Sequence, residues 1–168
     1  VLTQYESVLL NSYAAAGRRW GLDAKDSGVY VLPPREKADA NLDVYRGTAD
    51  AISQNIDFID SRSPEYLLIL SGDHIYKMDY SEMVNFHKKN NADCTIAVQE
   101  VSMEEATRLG IMTCDPDFRV VDFEEKPKKP KSTLASMGIY VFTWSKLKKY
   151  LTDNENANTG SKDFGKDI

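Results

Sequence analysis

Apolar or aromatic side chains at Tyr5, Val8, Leu9, Leu10 and Tyr13 recur at helical spacing across residues 4–16 and stop at Gly17, which predicts an amphipathic helix with a glycine stop. Ahead of it, Val1-Leu2-Thr3 reads as a strand entered partway. Residues 18–43 are irregular: Gly21, Gly28 and Pro33-Pro34 punctuate a short strand-like run at 29–32. An excursion of that length within a compact domain is usually functional or mobile. Regular spacing resumes at Thr48, expected to cap a helix that places Ala49, Ile52, Ile56 and Ile59 on one face and ends near 61–64.

The apolar run Tyr66-Leu67-Leu68-Ile69-Leu70 predicts a buried strand, and Ser71-Gly72-Asp73-His74 follows it without a spacer. Asp79 and Glu82 stand at capping-box spacing before a short helix through Lys89, with Tyr80, Met83, Val84 and His87 on its inner face. On that face His87 is expected to be a satisfied, partly buried histidine. A strand at 94–101, a short helix capped by Ser102 and Glu105, and a hairpin turned by Asp115-Pro116-Asp117 come next. Strands and helices alternate early and strands cluster late. That order predicts an α/β fold with a mostly parallel sheet flanked by helices and an antiparallel portion added late.

Composition narrows the class. The 168 residues suffice for one domain with a real core and are too few for two ordinary ones. With 28% charged and 42% hydrophobic residues the chain is a globular protein with no run long enough to span a bilayer. A formal charge of −5 speaks against a general nucleic-acid binder. Cys94 and Cys114 lack the paired spacing of a zinc site and are expected to be buried free thiols in a reducing compartment. The chain starts without Met or a signal-peptide pattern and stops without a turn or cap, so a fragment of a longer protein is expected.

Chemistry is concentrated at strand ends. In open α/β sheets ligands collect outside the carboxyl ends of strands, where Asp73 is placed to meet a substrate or a metal; the plain alternative is a loop carboxylate capping nearby N–H groups. Lys126 is offered in the same way after Val120-Val121-Asp122-Phe123-Glu124-Glu125, stiffened by Pro127. The lysines at 126–131 otherwise read as a solvated loop. Gly47-Thr48 opens a helix whose N–H groups can receive phosphate oxygens, or is an ordinary cap. Small residues in Ala135-Ser136-Met137-Gly138 permit close approach of a ligand or of another backbone. No His-Glu-x-x-His, Gly-x-Ser-x-Gly, Walker-type loop or cysteine cluster occurs.

Taken together, Tyr45-Arg46-Gly47-Thr48-Ala49-Asp50-Ala51, Leu70-Ser71-Gly72-Asp73-His74-Ile75-Tyr76-Lys77-Met78-Asp79-Tyr80, Glu124-Glu125-Lys126-Pro127, Ala135-Ser136-Met137-Gly138-Ile139-Tyr140 and Asp163-Phe164-Gly165-Lys166-Asp167 resemble the bacterial glucose-1-phosphate adenylyltransferases (ADP-glucose pyrophosphorylases) over the whole chain. The resemblance implies a Rossmann-like sheet of the nucleotide-diphospho-sugar transferase type. Residues 1–168 would be a partial catalytic domain that lacks the first strand with its glycine-rich loop and the C-terminal β-helix, and would be inactive alone. The implied reaction joins ATP and glucose 1-phosphate into ADP-glucose and pyrophosphate for glycogen synthesis. By the same resemblance Asp73 holds Mg²⁺, Lys126 binds the sugar phosphate, Gly110, Glu125 and Ser136 line the sugar site, and Tyr45, Gly47 and Thr48 lie along the nucleotide. It further implies a cytoplasmic enzyme without nucleic-acid or membrane partners, assembled as a homotetramer or with a regulatory paralogue.

Three departures from the family pattern stand out: Leu109 in place of a usual Phe, Val44 in place of an aromatic, and Leu32-Pro33-Pro34-Arg35-Glu36 where the family carries glutamines after Leu-Pro-Ala. The adenine contacts of that loop stay unassigned. The rival readings are a UTP- or dTTP-using sugar-1-phosphate nucleotidyltransferase and a non-catalytic regulatory paralogue of the same fold.

Overall fold

A computed structural model describes residues 1–4, 8–14, 17–24, 27–34, 44–157 and 164, with side chains through 154 and at 164. They gather in two compact units, 1–61 with 154–168 and 62–153.

In the first unit the predicted N-terminal helix is α1 (Val8–Ala14), and Gly17 follows it at φ 65°. A Cβ at Gly17 would lie 2.5 Å from the Leu22 carbonyl oxygen, so glycine is required for both the backbone angle and the space. The strand-like segments at 1–3 and 29–32 meet in a single parallel bridge, Leu2 to Leu32. The helix expected from Thr48 is instead two helices, α2 (Thr48–Ser53) and α3 (Ile56–Asp60). Asn55 breaks it: its side-chain amide donates to the Ala51 carbonyl at 2.9 Å, and its own N–H turns to Ile52. The cap also moves by one residue, because Gly47, in extended conformation, is the N-cap and Thr48 is the first helical residue. Residues 35–43, which end the predicted excursion, lie outside the described residues.

The second unit is a five-stranded sheet with helices: β1 (Tyr66–Ile69), α4 (Tyr80–Lys89), β2 (Cys94–Glu100), α5 (Met103–Ala106), β3 (Gly110–Cys114), β4 (Val120–Glu125), β5 (Leu134–Thr143) and the start of α6 (Trp144–Ala157). The expectation of a mostly parallel sheet is corrected here, since every pairing among these strands is antiparallel. The physical cause is β5. It runs between β1 and β2, which share one direction, so two strands that would otherwise neighbour each other in parallel are each paired to a strand running the opposite way. β1 is also half-buried rather than fully buried.

Inward side chains of α4 and the sheet form one core around Met83, Ile139 and Val141, joined by Tyr66, Leu68, Tyr80 and Val84. Ala106, Ile111 and Ala135 make a second beneath α5, whose Ser102–Glu105 capping box is complete. His87 is 1% exposed and satisfied, with Nδ1 2.8 Å from Thr95 Oγ1 and Nε2 3.0 Å from Thr143 Oγ1. Thr143 gives its own proton to the Ala92 carbonyl, so it accepts from His87 Nε2–H. Burial holds the His87 pKa below the usual histidine value. The unfolded chain therefore takes up a proton first as pH falls through about 6.5, and stability declines below that pH. Urea midpoints at pH 7 and pH 5.5 should differ in the parent protein, and the difference should shrink in His87→Gln. Cys94 and Cys114 are free and partly buried, and burial pushes the Cys94 thiol up to about 12, which makes it a poor nucleophile.

Candidate active site

Asp73 sits in an exposed turn four residues beyond β1. Its Oδ1 accepts a hydrogen bond from the Ser71 hydroxyl. That bond, its own N–H and the neighbouring His74 hold the carboxyl below the usual carboxylate range, so it is ionised at neutral pH. Asp79 also makes local bonds, its carboxylate accepting the N–H and hydroxyl of Ser81 at the start of α4.

β5 ties the other residues to this turn. β2 covers one edge of β5, while on the other edge β1 pairs with residues 140–143 and β3 only with 134–135. Ser136 to Ile139 therefore lie on that second edge between the two neighbours. The register with β2 slips here, Ala97 alone standing against Met137, Gly138 and Ile139. At the bulge Gly138 adopts φ 67°, its N–H donates to Ser136 Oγ at 3.2 Å, and the His74 ring packs against it. Nδ1 of His74 is buried with no hydrogen-bond partner among the described residues. A Cβ on Gly138 would stand 3.4 Å from His74 Cε1, an ordinary contact, so the cost of Gly138→Ala is the left-handed backbone: about 1–2 kcal/mol. A denaturant titration of that variant should show a loss of this size.

The second strand end is reached across β3, which pairs with β5 on one side and with β4 on the other. Gly110 pairs with Glu125, and a Cβ there would come within 2.8 Å of the Phe123 ring and 3.2 Å of Glu125 Oε2, so the missing side chain makes room for both. Lys126 leaves β4 at φ 49°, its N–H donating to the Leu109 carbonyl at 3.0 Å. A non-glycine residue held in that region is uncommon and recurs at functional positions. Its Nζ is 3.6 Å from Glu125 Oε1 and 65% of the side chain is exposed. Lys131, by contrast, is occupied by Asp122 at 2.9 Å and Glu124 at 3.4 Å. In sheet order Asp73 thus lies beyond β1, Ser136 on β5, Gly110 on β3, and Glu125 and Lys126 at the end of β4.

Tyr45, Gly47 and Thr48 belong to the first unit. Tyr45 is anchored at both ends, its N–H on Gln4 Oε1 at 2.6 Å and its hydroxyl on the Leu32 carbonyl at 2.8 Å. Thr48 Oγ1 accepts from the N–H of buried Phe164 at 3.4 Å. Of the predicted motif at 163–167 only Phe164 is among the described residues.

A model of the family described as "Nucleotidyl transferase" matches residues 1–168. The chain belongs to the nucleotidyl transferase family. Its relatives named glucose-1-phosphate adenylyltransferase include proteins of Clostridium botulinum (strain Alaska E43 / Type E3), 57% identical over 169 residues, Desulforamulus reducens, 56% over 168, and Clostridium beijerinckii, 54% over 168. Each match covers 100% of this chain and 42–43% of the relative. The chain therefore spans less than half the length of the curated relatives it matches.

As a nucleotidyl transferase domain it has an α/β fold with an antiparallel sheet. No described helix is long and apolar enough to cross a membrane. Two features of this nucleotidyl transferase were not singled out by sequence reasoning. One is the packing of His74 on Gly138, a long-range contact without a local signal. The other is buried Asp50, which had a signal: Arg46 and Asp50 are spaced i, i+4, and their side chains meet at 2.9 Å.

Proposed function

We propose that this chain is the catalytic portion of a glucose-1-phosphate adenylyltransferase, making ADP-glucose and pyrophosphate from ATP and glucose 1-phosphate in glycogen synthesis. The observation that carries the reading is an ionised carboxylate, Asp73, beyond the end of β1 and an exposed cation, Lys126, at the end of β4 in one sheet, in which β1 and β3 share an edge of β5 and β4 pairs with β3. In the reaction an oxygen of the sugar phosphate forms a bond to the α-phosphorus of ATP, and the bond from that phosphorus to the oxygen bridging to the β-phosphorus breaks, releasing pyrophosphate. The attacking oxygen is already anionic, because the second pKa of a phosphate monoester is about 6. No general base is needed; the obstacle is holding two polyanions in line.

Asp73 fits a Mg²⁺ ion. Its exposed, ionised carboxylate suits an ion that keeps water and shares substrate phosphates. Mg²⁺ bound there neutralises charge on the phosphate oxygens. Lys126 holds the phosphate of glucose 1-phosphate as a point charge, and Glu125 and Ser136 hydrogen-bond the sugar hydroxyls in the space left by Gly110. Tyr45, Gly47 and Thr48 lie along the nucleotide. The complete protein is a cytoplasmic oligomer, a homotetramer or an assembly with a regulatory paralogue. Its fold is of the nucleotide-diphospho-sugar transferase type, completed by a C-terminal β-helix. Pyrophosphate release by the complete protein from glucose 1-phosphate with ATP, UTP and dTTP tests the reading. Strong preference for ATP is expected; preference for another triphosphate, or no turnover, would sink it.

A further inference from the structure

We propose that Asp50 is a positioning residue for ATP: it fixes the turn at residues 44–48 from beneath, so that its loss weakens the nucleotide and not the sugar phosphate. The inference deepens the adenylyltransferase reading and rests on it.

The Asp50 side chain is fully buried, which a carboxylate tolerates only when its oxygens are satisfied. Oδ2 accepts from the Arg46 backbone N–H at 2.8 Å and from Gln54 Nε2 at 2.8 Å, and Oδ1 accepts from Arg46 Nη2 at 2.9 Å. Gln54 Nε2 also reaches the Val44 carbonyl at 3.3 Å, so the residues on either side of Tyr45 are tied to one point on α2. Burial alone would raise the carboxyl pKa, yet the Arg46 and Gln54 donors hold it below the usual range. Asn55, also buried, donates to the Tyr45 hydroxyl at 3.2 Å, and Ala51 donates its N–H to the Gly47 carbonyl at 3.1 Å. One face of the turn is thus consumed by internal bonds. Gly47, extended and without a side chain, and the exposed Thr48 follow directly.

Asparagine at position 50 keeps the shape but loses the charge, and its NH₂ group meets a donor where an acceptor is needed. Charge-assisted hydrogen bonds of this kind correspond to about a ten- to hundredfold change in an equilibrium constant. In the complete protein Asp50→Asn should raise the KM for ATP, and the calorimetric Kd for ATP, by about tenfold or more, with the KM for glucose 1-phosphate and kcat changed by about twofold or less. Arg46→Ala, on the exposed side of the pair, should move the same parameters in the same direction. The double variant should then match the worse single variant rather than their product, because both cut one linkage. If Asp50→Asn does not fold, Arg46→Ala and Gln54→Leu carry the test through the same ATP-selective loss. Equal losses for both substrates, a lowered Tm without loss of ATP affinity, or strictly additive effects would overturn the proposal. Parent protein that binds or uses no ATP refutes the adenylyltransferase reading and this proposal with it, whereas parent turnover with unselective variants refutes only the role of Asp50.

Discussion

Asp73→Asn in the complete enzyme is expected to reduce kcat by about a hundredfold or more while the affinities for both substrates stay close to those of the parent. The substitution preserves shape and the bond from Ser71, so the turn after β1 persists. What it removes is the negative charge. A neutral amide is a poor Mg²⁺ ligand, and the charge on the phosphate oxygens grows as the α-phosphorus is approached, so the loss falls on the transition state rather than on binding. The carboxylate is ionised well below neutrality, which means that lowering the assay pH from 8 to 6 should not reproduce the variant. Single-turnover measurements with equilibrium binding of each substrate separate the two effects. Near-parental kcat would remove Asp73 from the mechanism.

Lys126→Ala has the opposite signature. The side chain is exposed and pairs with one carboxylate, Glu125, at 3.6 Å, whereas Lys131 is held by both Asp122 and Glu124. Removing it should raise the KM for glucose 1-phosphate by about ten- to a hundredfold, the range of a charge-assisted phosphate contact, and leave the KM for ATP nearly unchanged. Arginine is not expected to restore activity fully, because its planar fork replaces a compact charge at the end of a backbone held at φ 49°. An unchanged KM for glucose 1-phosphate would assign Lys126 to the solvated surface.

Legibility from sequence followed the range of the interaction. The capping box of Ser102 and Glu105, the Asp115-Pro116-Asp117 hairpin and the inner face of α4 with His87 were all readable, because each depends on residues within a turn or two. The helix from Thr48 was misread at Asn55, whose side chain competes for a backbone carbonyl in a way that periodicity does not register. The sheet was misread at β5. Strand direction depends on which segments pair across 40 or more positions, as Ile96 does with Tyr140, and apolar patterning fixes which face is buried rather than which neighbour is chosen.

By itself the chain determined its local elements, the residue types at two strand ends and, through motif order, its family. Tertiary structure alone decided that β5 enters between β1 and β2 and that the bulge at Gly138 faces His74. It also decided that Gly110 leaves room for Glu125. Those are matters of close approach between segments far apart in sequence, where steric space and unpaired polar groups, not local propensity, select the arrangement.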